Sequence, residues 1–156
     1  FSYMEAHYTW KTKFFSRKFE IFRNDMKCGE LQKIAFSRKS IGEMNGRRYS
    51  FEMKKLFKPV AEIINLNNDS VIGNITIFPF KRSSVIKLGD KEYPWQFDNF
   101  WSTRWSISYE YGTLVKYYSK WLTGTIDSYT SEDVLILSGF FLRNFFRQHS
   151  SAAAAT

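Results

Sequence analysis

The chain has 156 residues, 19% of them aromatic, and carries 23 Lys and Arg against 15 Asp and Glu, a formal charge of +8. That length suits one domain with a real core. A single cysteine, Cys28, excludes an intramolecular disulfide framework and points to a reducing compartment.

In chain order, the opening "FSYMEAHYTWK" shows no signal peptide. Phe1 reads as a trimmed start, with Met4 as a candidate initiator. "YTWKTKFF" sets Tyr8, Trp10 and Phe14 against Lys11 and Lys13, the alternation of a half-buried strand. "FWSTRWSISYEY" repeats the pattern, with Trp101, Thr103, Trp105, Ile107 and Tyr109 on one face. Turn signals recur at Asn24-Asp25, Asn45-Gly46, Asn67-Asn68-Asp69, Gly89-Asp90, Gly112 and Gly124. A turn every ~8–12 residues predicts an all-β sandwich or barrel rather than βαβ units. Pro59, Pro79 and Pro94 are expected at strand ends or edges. "FEIFRNDMKCGELQKI", "AEIINLNNDSVIGNITI" and "SISYEYGTLVKYY" form a weak internal repeat of strand, turn, glycine, strand. Gly29, Gly73 and Gly112 would supply positive φ at equivalent places.

"SEDVLILSGFFLRNFFRQ" predicts a helix over about 131–148. Between Asp133 and Arg143 lie nine residues, whereas a membrane span needs roughly 20. At 100° per residue, Val134 to Leu137 with Phe140, Phe141, Leu142, Phe145 and Phe146 cover every direction, and a helix apolar all round is buried. Thr130 and Asp133 read as a capping box. Arg143, Arg147 and His149 read as last-turn cations facing the negative dipole end. The helix is therefore expected to plug a barrel of short strands. "SSAAAAT", within residues 150–156, is expected to be a disordered or foreign tail outside the single domain of residues 1–149.

With these residues in view, the chain resembles the LURP-one-related branch of the tubby-like superfamily, which includes tubby and the phospholipid scramblases. "KTKFFSRKFEIFRND", the glycine-bearing hairpins and "YYSKWLTGTIDSYTSEDVLILSGFFL" carry the resemblance, over roughly residues 8–147. It implies a tubby-like, all-β barrel of about twelve mostly antiparallel strands around a C-terminal α-helix. It also implies binding of anionic lipid, as tubby does through basic residues; none of those residues is transferred to this sequence. The cysteine-rich and calcium-binding segments of scramblases have no counterpart here.

No base–nucleophile pair, metal-ligand cluster or phosphate loop stands out, so the expectation is a non-enzymatic module without catalytic residues, metal or cofactor. His7 and His149 lack partners at informative spacing, and Cys28 reads as a plain hairpin residue. The basic excess instead favours an anionic phospholipid surface. Lys54, Lys55, Lys58, Lys81 and Arg82 are the candidate lipid-binding residues. They flank the Val60–Phe78 hairpin, beside Leu56, Phe57, Phe78 and Phe80, a mixture suited to a headgroup interface. The expected location is cytoplasmic, peripheral at the inner face of the plasma membrane, with no transmembrane segment. The alternative is a structural or regulatory protein-interaction barrel. Nucleic-acid binding is a third and weaker reading, because a plugged barrel offers only its outside.

Overall fold

The computed structural model describes residues 5–13, 16–55, 57–110 and 112–155, with side chains as far as His149. Phe1, Met4, Phe14 and Leu56, named above, lie outside the described residues. Twelve strands run β1 (Ala6–Thr12), β2 (Lys18–Arg23), β3 (Met26–Lys33), β4 (Lys39–Met44), β5 (Arg47–Lys55) and β6 (Val60–Asn65), then β7 (Ser70–Phe78), β8 (Ser83–Leu88), β9 (Lys91–Phe97), β10 (Arg104–Tyr109), β11 (Gly112–Lys120) and β12 (Thr123–Ser128). Each pairs antiparallel with its neighbours in sequence, and β1 pairs with β12 from Ala6↔Ser128 to Lys11↔Thr123. The sheet therefore closes into a barrel with no free edge.

The alternation read from the sequence sets the inside and the outside. In β1, Ala6, Tyr8 and Trp10 are buried while His7, Thr9 and Lys11 face out. In β11, Val115, Tyr117 and Ser119 point inward. α1 (Asp133–Ala155) enters the barrel, with Val134, Leu135, Ile136, Leu137, Phe140, Phe141 and Phe145 all buried inside it. Phe140 meets Trp10 at 5.4 Å and Phe19 at 5.2 Å between ring centroids, and Phe146 stacks on Trp95 at 5.3 Å. Burying a large apolar side chain contributes roughly 1.5–3 kcal/mol, so the helix and the barrel stabilise each other through many such contacts. Close approach matters at Gly139, where any Cβ would collide with the Tyr117 ring and hydroxyl. Tyr117 Oη donates to the Ile136 carbonyl at 2.9 Å.

Both helix ends differ from expectation. The helix begins at Asp133, and the capping box does not form. Thr130 Oγ1 accepts the Glu132 N–H at 3.1 Å, one residue too early for a capping box, while Asp133 Oδ2 accepts from Asn45 Nδ2 at 3.3 Å. The buried carboxylate thus ties the helix entry to the β4–β5 turn instead of to its own backbone. At the other end the helix runs through "SSAAAA" to Ala155, the segment expected to be tail. Alanine has the highest helix propensity, and nothing in that stretch breaks the helix. Arg143 accordingly lies mid-helix and buried, not in a last turn.

The internal repeat is real, but the glycines serve it differently. Register shifts place a one-residue bulge at Cys28 in β2–β3, at Ile72 in β6–β7 and at Leu114 in β10–β11. The three hairpins are four strands apart. Positive φ falls on Gly46 and Gly89, not on Gly29, Gly73 or Gly112. Gly29 and Gly73 follow their bulges where a neighbouring strand crowds in; a Cβ on Gly29 would lie 3.0 Å from the Glu43 carbonyl oxygen. Pro59 and Pro79 flank strands, whereas Pro94 lies within β9. The β9–β10 ladder covers only Trp95 to Phe97, so the missing N–H of Pro94 falls past its end.

Candidate docking rim

An up-and-down barrel sends alternate connections to opposite ends. The β2–β3, β4–β5, β6–β7, β8–β9 and β10–β11 turns share the end where the helix enters. The β1–β2, β3–β4, β5–β6, β7–β8, β9–β10 and β11–β12 connections share the end where it leaves. At the entry end lie Asp25, Asp69, Asp90, Glu110 and Glu132. At the exit end, the connections from Lys13 onward carry one acid among the described residues, Asp98.

Seven large exposed aromatics crowd that exit end: Phe36, Phe57, Phe78, Phe80, Phe100, Trp101 and Trp121. Phe36, Phe57 and Phe80 are almost completely uncovered, at 106%, 97% and 104% of full exposure. Scattered exposed apolar residues are ordinary, but a concentration of large aromatics at one end of the fold marks an interaction surface. Local chemistry holds the rings outward. Lys33 Nζ donates to the Ile34 and Ser37 carbonyls, closing the β3–β4 loop so that Phe36 stands at its tip with φ 59°. Trp121 also has φ 59°. Left-handed backbone is unfavourable for bulky residues, by about 1–2 kcal/mol each. Such outliers mark places where side-chain identity outweighs backbone ease.

Trp101 corrects a sequence expectation. It was placed on the buried face of a strand, yet β10 starts only at Arg104 and Trp101 is exposed in the preceding loop. Asn99 is the reason. Its Oδ1 accepts the N–H groups of Thr103 and Arg104, each at 3.1 Å, and its Nδ2 donates to Thr103 Oγ1 at 2.6 Å. Those bonds close a loop before the strand can begin.

Among the five candidate basic residues, Lys55, Lys58 and Lys81 are exposed on this rim. Phe57, Lys58, Phe78, Phe80 and Lys81 line one apolar groove between the β5–β6 and β7–β8 connections. The two short stretches singled out in the sequence therefore do meet in space. Lys54 and Arg82 are engaged within the protein. Lys54 sits on the outer wall, with Nζ 3.5 Å from Glu52 and 3.9 Å from Glu62. The Arg82 guanidinium lies 4.6 Å over the Phe97 ring and donates to Ser102 Oγ, clamping two rim loops together.

Sequence reasoning missed Phe36, Phe100, Trp101 and Trp121. A signal existed: successive connections alternate between Asn/Asp/Gly turns and aromatic–basic loops, and in a meandering barrel that alternation sorts the two kinds to opposite ends. It also missed Arg143, which is 4% exposed. Its guanidinium lies 5.3 Å from Trp10, 5.6 Å from Phe19 and 5.2 Å from Trp105, a three-sided aromatic box. Nη2 donates to Ser119 Oγ at 3.3 Å, while Nε and Nη1 have no partner. Burial, with the nearby charge of Arg147, pushes its pKa down to about 9.

The remaining chemistry-bearing residues lie elsewhere. His7 Nδ1 is 2.6 Å from Asp127 Oδ1 and Nε2 is 3.1 Å from Glu5, on the exposed outer wall, where the contact pins β1 to β12. Cys28 occupies a hairpin bulge, and burial raises its thiol pKa, which lowers the nucleophilic thiolate fraction. Among the described residues, no cluster of three or more His, Cys, Asp or Glu side chains could hold a metal. Among those residues, too, no helix is long and apolar enough to cross a membrane. Comparison with family models, with curated proteins and with solved structures found no match.

Proposed function

We propose that this protein is a non-enzymatic peripheral module that docks end-on against an anionic phospholipid surface through the exit rim of its barrel. One observation carries the reading: among the described residues, seven exposed aromatics share a rim with Lys55, Lys58 and Lys81 and a single acidic loop residue. Aromatic rings favour the headgroup level, where an apolar body and a polar edge are both satisfied. Each basic residue near an acidic surface adds about 1 kcal/mol. Inserting a ring fully adds roughly 1.5–3 kcal/mol, so a few partly inserted rings outweigh the charges. Charge draws the rim to the surface and the rings hold it there. The resemblance to tubby-like barrels implies the same class of ligand.

The test is co-sedimentation with phosphatidylserine vesicles. Phe57→Ala combined with Phe80→Ala should weaken binding strongly at physiological salt, where charges are screened beyond about 8 Å. Val71→Ala with Met26→Ala, at the entry end, should leave it unchanged. A wild-type protein that ignores these vesicles even at low salt refutes lipid docking, and the rim then reads as a protein-interaction surface.

A further inference from the structure

Beside the point where the helix leaves the barrel, the rim encloses a second cavity. Lys13, Arg17, Lys33 and Arg147 line it, with Asn144 and Gln148, and among the described residues no acidic one does. Among the described residues, none of these four cations is paired with a carboxylate. They repel one another: burial and the charge of Arg17 both lower the pKa of Lys33. Phe19 forms part of the same wall, and behind its ring lies Arg143, one helical turn before Arg147, buried with Nε and Nη1 unpartnered. Five cations converge on one corner of the protein, and among the described residues none has a carboxylate partner. Such an arrangement is destabilising by itself and is relieved when an anion is bound.

We propose that this cavity seats a phosphomonoester group. A phosphomonoester carries about −1.5 to −2 charges and three terminal oxygens. Two guanidinium forks can each take it in bidentate fashion, while the Lys13 ammonium and the Asn144 and Gln148 amides supply further donors. Two of the Lys33 N–H groups are taken by the Ile34 and Ser37 carbonyls, which fixes its charge at the cavity wall and leaves one donor. A phosphodiester or a carboxylate offers half the charge and fewer oxygens, so the cavity should discriminate among anions that the open rim does not. The inference rests on the docking proposal only in that the phosphate would arrive on a lipid; the same chemistry is met by a soluble phosphate.

The experiment compares vesicles containing phosphatidic acid, a phosphomonoester lipid, with phosphatidylserine vesicles of matched surface charge, and adds inorganic phosphate alone. The variant is Arg17→Gln with Arg147→Gln, both exposed positions outside the core. The wild type should prefer phosphatidic acid by about tenfold, the worth of one charge-assisted hydrogen bond. The variant should lose that preference, while its binding to phosphatidylserine falls only by the non-specific attraction of two rim charges. Equal binding of both lipids by the wild type, lowered in parallel by the variant, overturns the phosphate site and leaves rim docking intact. If vesicles of either kind are ignored but inorganic phosphate shifts the Asn144 and Gln148 side-chain amide resonances, the site stands with a soluble ligand and docking falls. No response to phosphate or to either vesicle refutes both.

Discussion

The two ends of the barrel solve one backbone problem with different residues. At the entry end, left-handed φ falls on Asn24, Asp25, Asn45, Gly46, Asp69, Gly89 and Glu110. Most of these are the residue types that tolerate this conformation and make tight hairpin turns. At the exit end it falls on Phe36, Arg82, Ser102 and Trp121, most of which do not tolerate it well. The entry end is built for economy of backbone. The exit end keeps Phe36 and Trp121 where the backbone would prefer other residues, and both side chains are exposed. Strain on a ring as exposed as Phe36 is hard to explain by stability and natural to explain by contact with something outside the protein.

The largest test of this contrast strikes what the two ends share. Ile136 is 1% exposed in the first turn of the plug. Ile136→Lys would bury an unpaired ammonium at a cost of several kcal/mol, against a typical total stability of about 5–15 kcal/mol. We expect the cooperative thermal transition to collapse and both rims to be lost together, measured by calorimetry. A variant melting near the wild-type temperature would mean that the barrel stands without its helix.

A smaller test separates the ends. Phe36→Asn should relieve left-handed strain and raise stability by roughly 0.5–1 kcal/mol, a shift of about 1–4 °C in Tm, while weakening binding to phosphatidylserine vesicles. A change that stabilises the fold and costs binding is the signature of a functional residue. If Phe36→Asn lowers Tm, the ring has a structural role and the contrast between the ends weakens.

The smallest effect belongs to the entry half of the wall. The Asp127 hydrogen bond, with a smaller contribution from Glu5, raises the His7 pKa above 6.5. A raised folded-state pKa means that the stabilising contact is fully present below pH 6.5 and fades as pH rises through the folded-state value. Following the His7 ring protons by NMR should show this titration, and Asp127→Asn should move it back down. Vesicle binding should not follow the same curve, because His7 is at the other end.

Much of the architecture is legible in the residues. The period-two alternation in β1 and β10–β11, the spacing of Asn, Asp and Gly turns, and the all-round apolar character of residues 134–146 together demand a closed sheet around a helix. That holds because binary pattern and turn chemistry are local properties. The threefold recurrence of a strand–turn–glycine–strand hairpin was visible as well, but not its bulges, nor that Gly29 and Gly73 answer to crowding by a neighbouring strand, which no local pattern reports. Trp101 was misplaced for a similar reason: alternation continues through "FWSTRW", but one Asn99 side chain claims the backbone donors that a strand would need.

What only the tertiary structure decided is which residues meet. Closing the barrel turned a loose alternation of loop types along the chain into two opposed rims, and set Lys58 and Lys81 in one groove while Glu52 and Glu62 took Lys54 and Ser102 took Arg82. It also drew Arg143 inside. In sequence that residue reads as a helix-end cation; in the fold it stands among Trp10, Phe19 and Trp105, brought from three strands. Secondary structure follows from neighbours within a few positions, whereas a rim, a groove or a buried guanidinium depends on residues a hundred positions apart that meet only when the last strand pairs with the first.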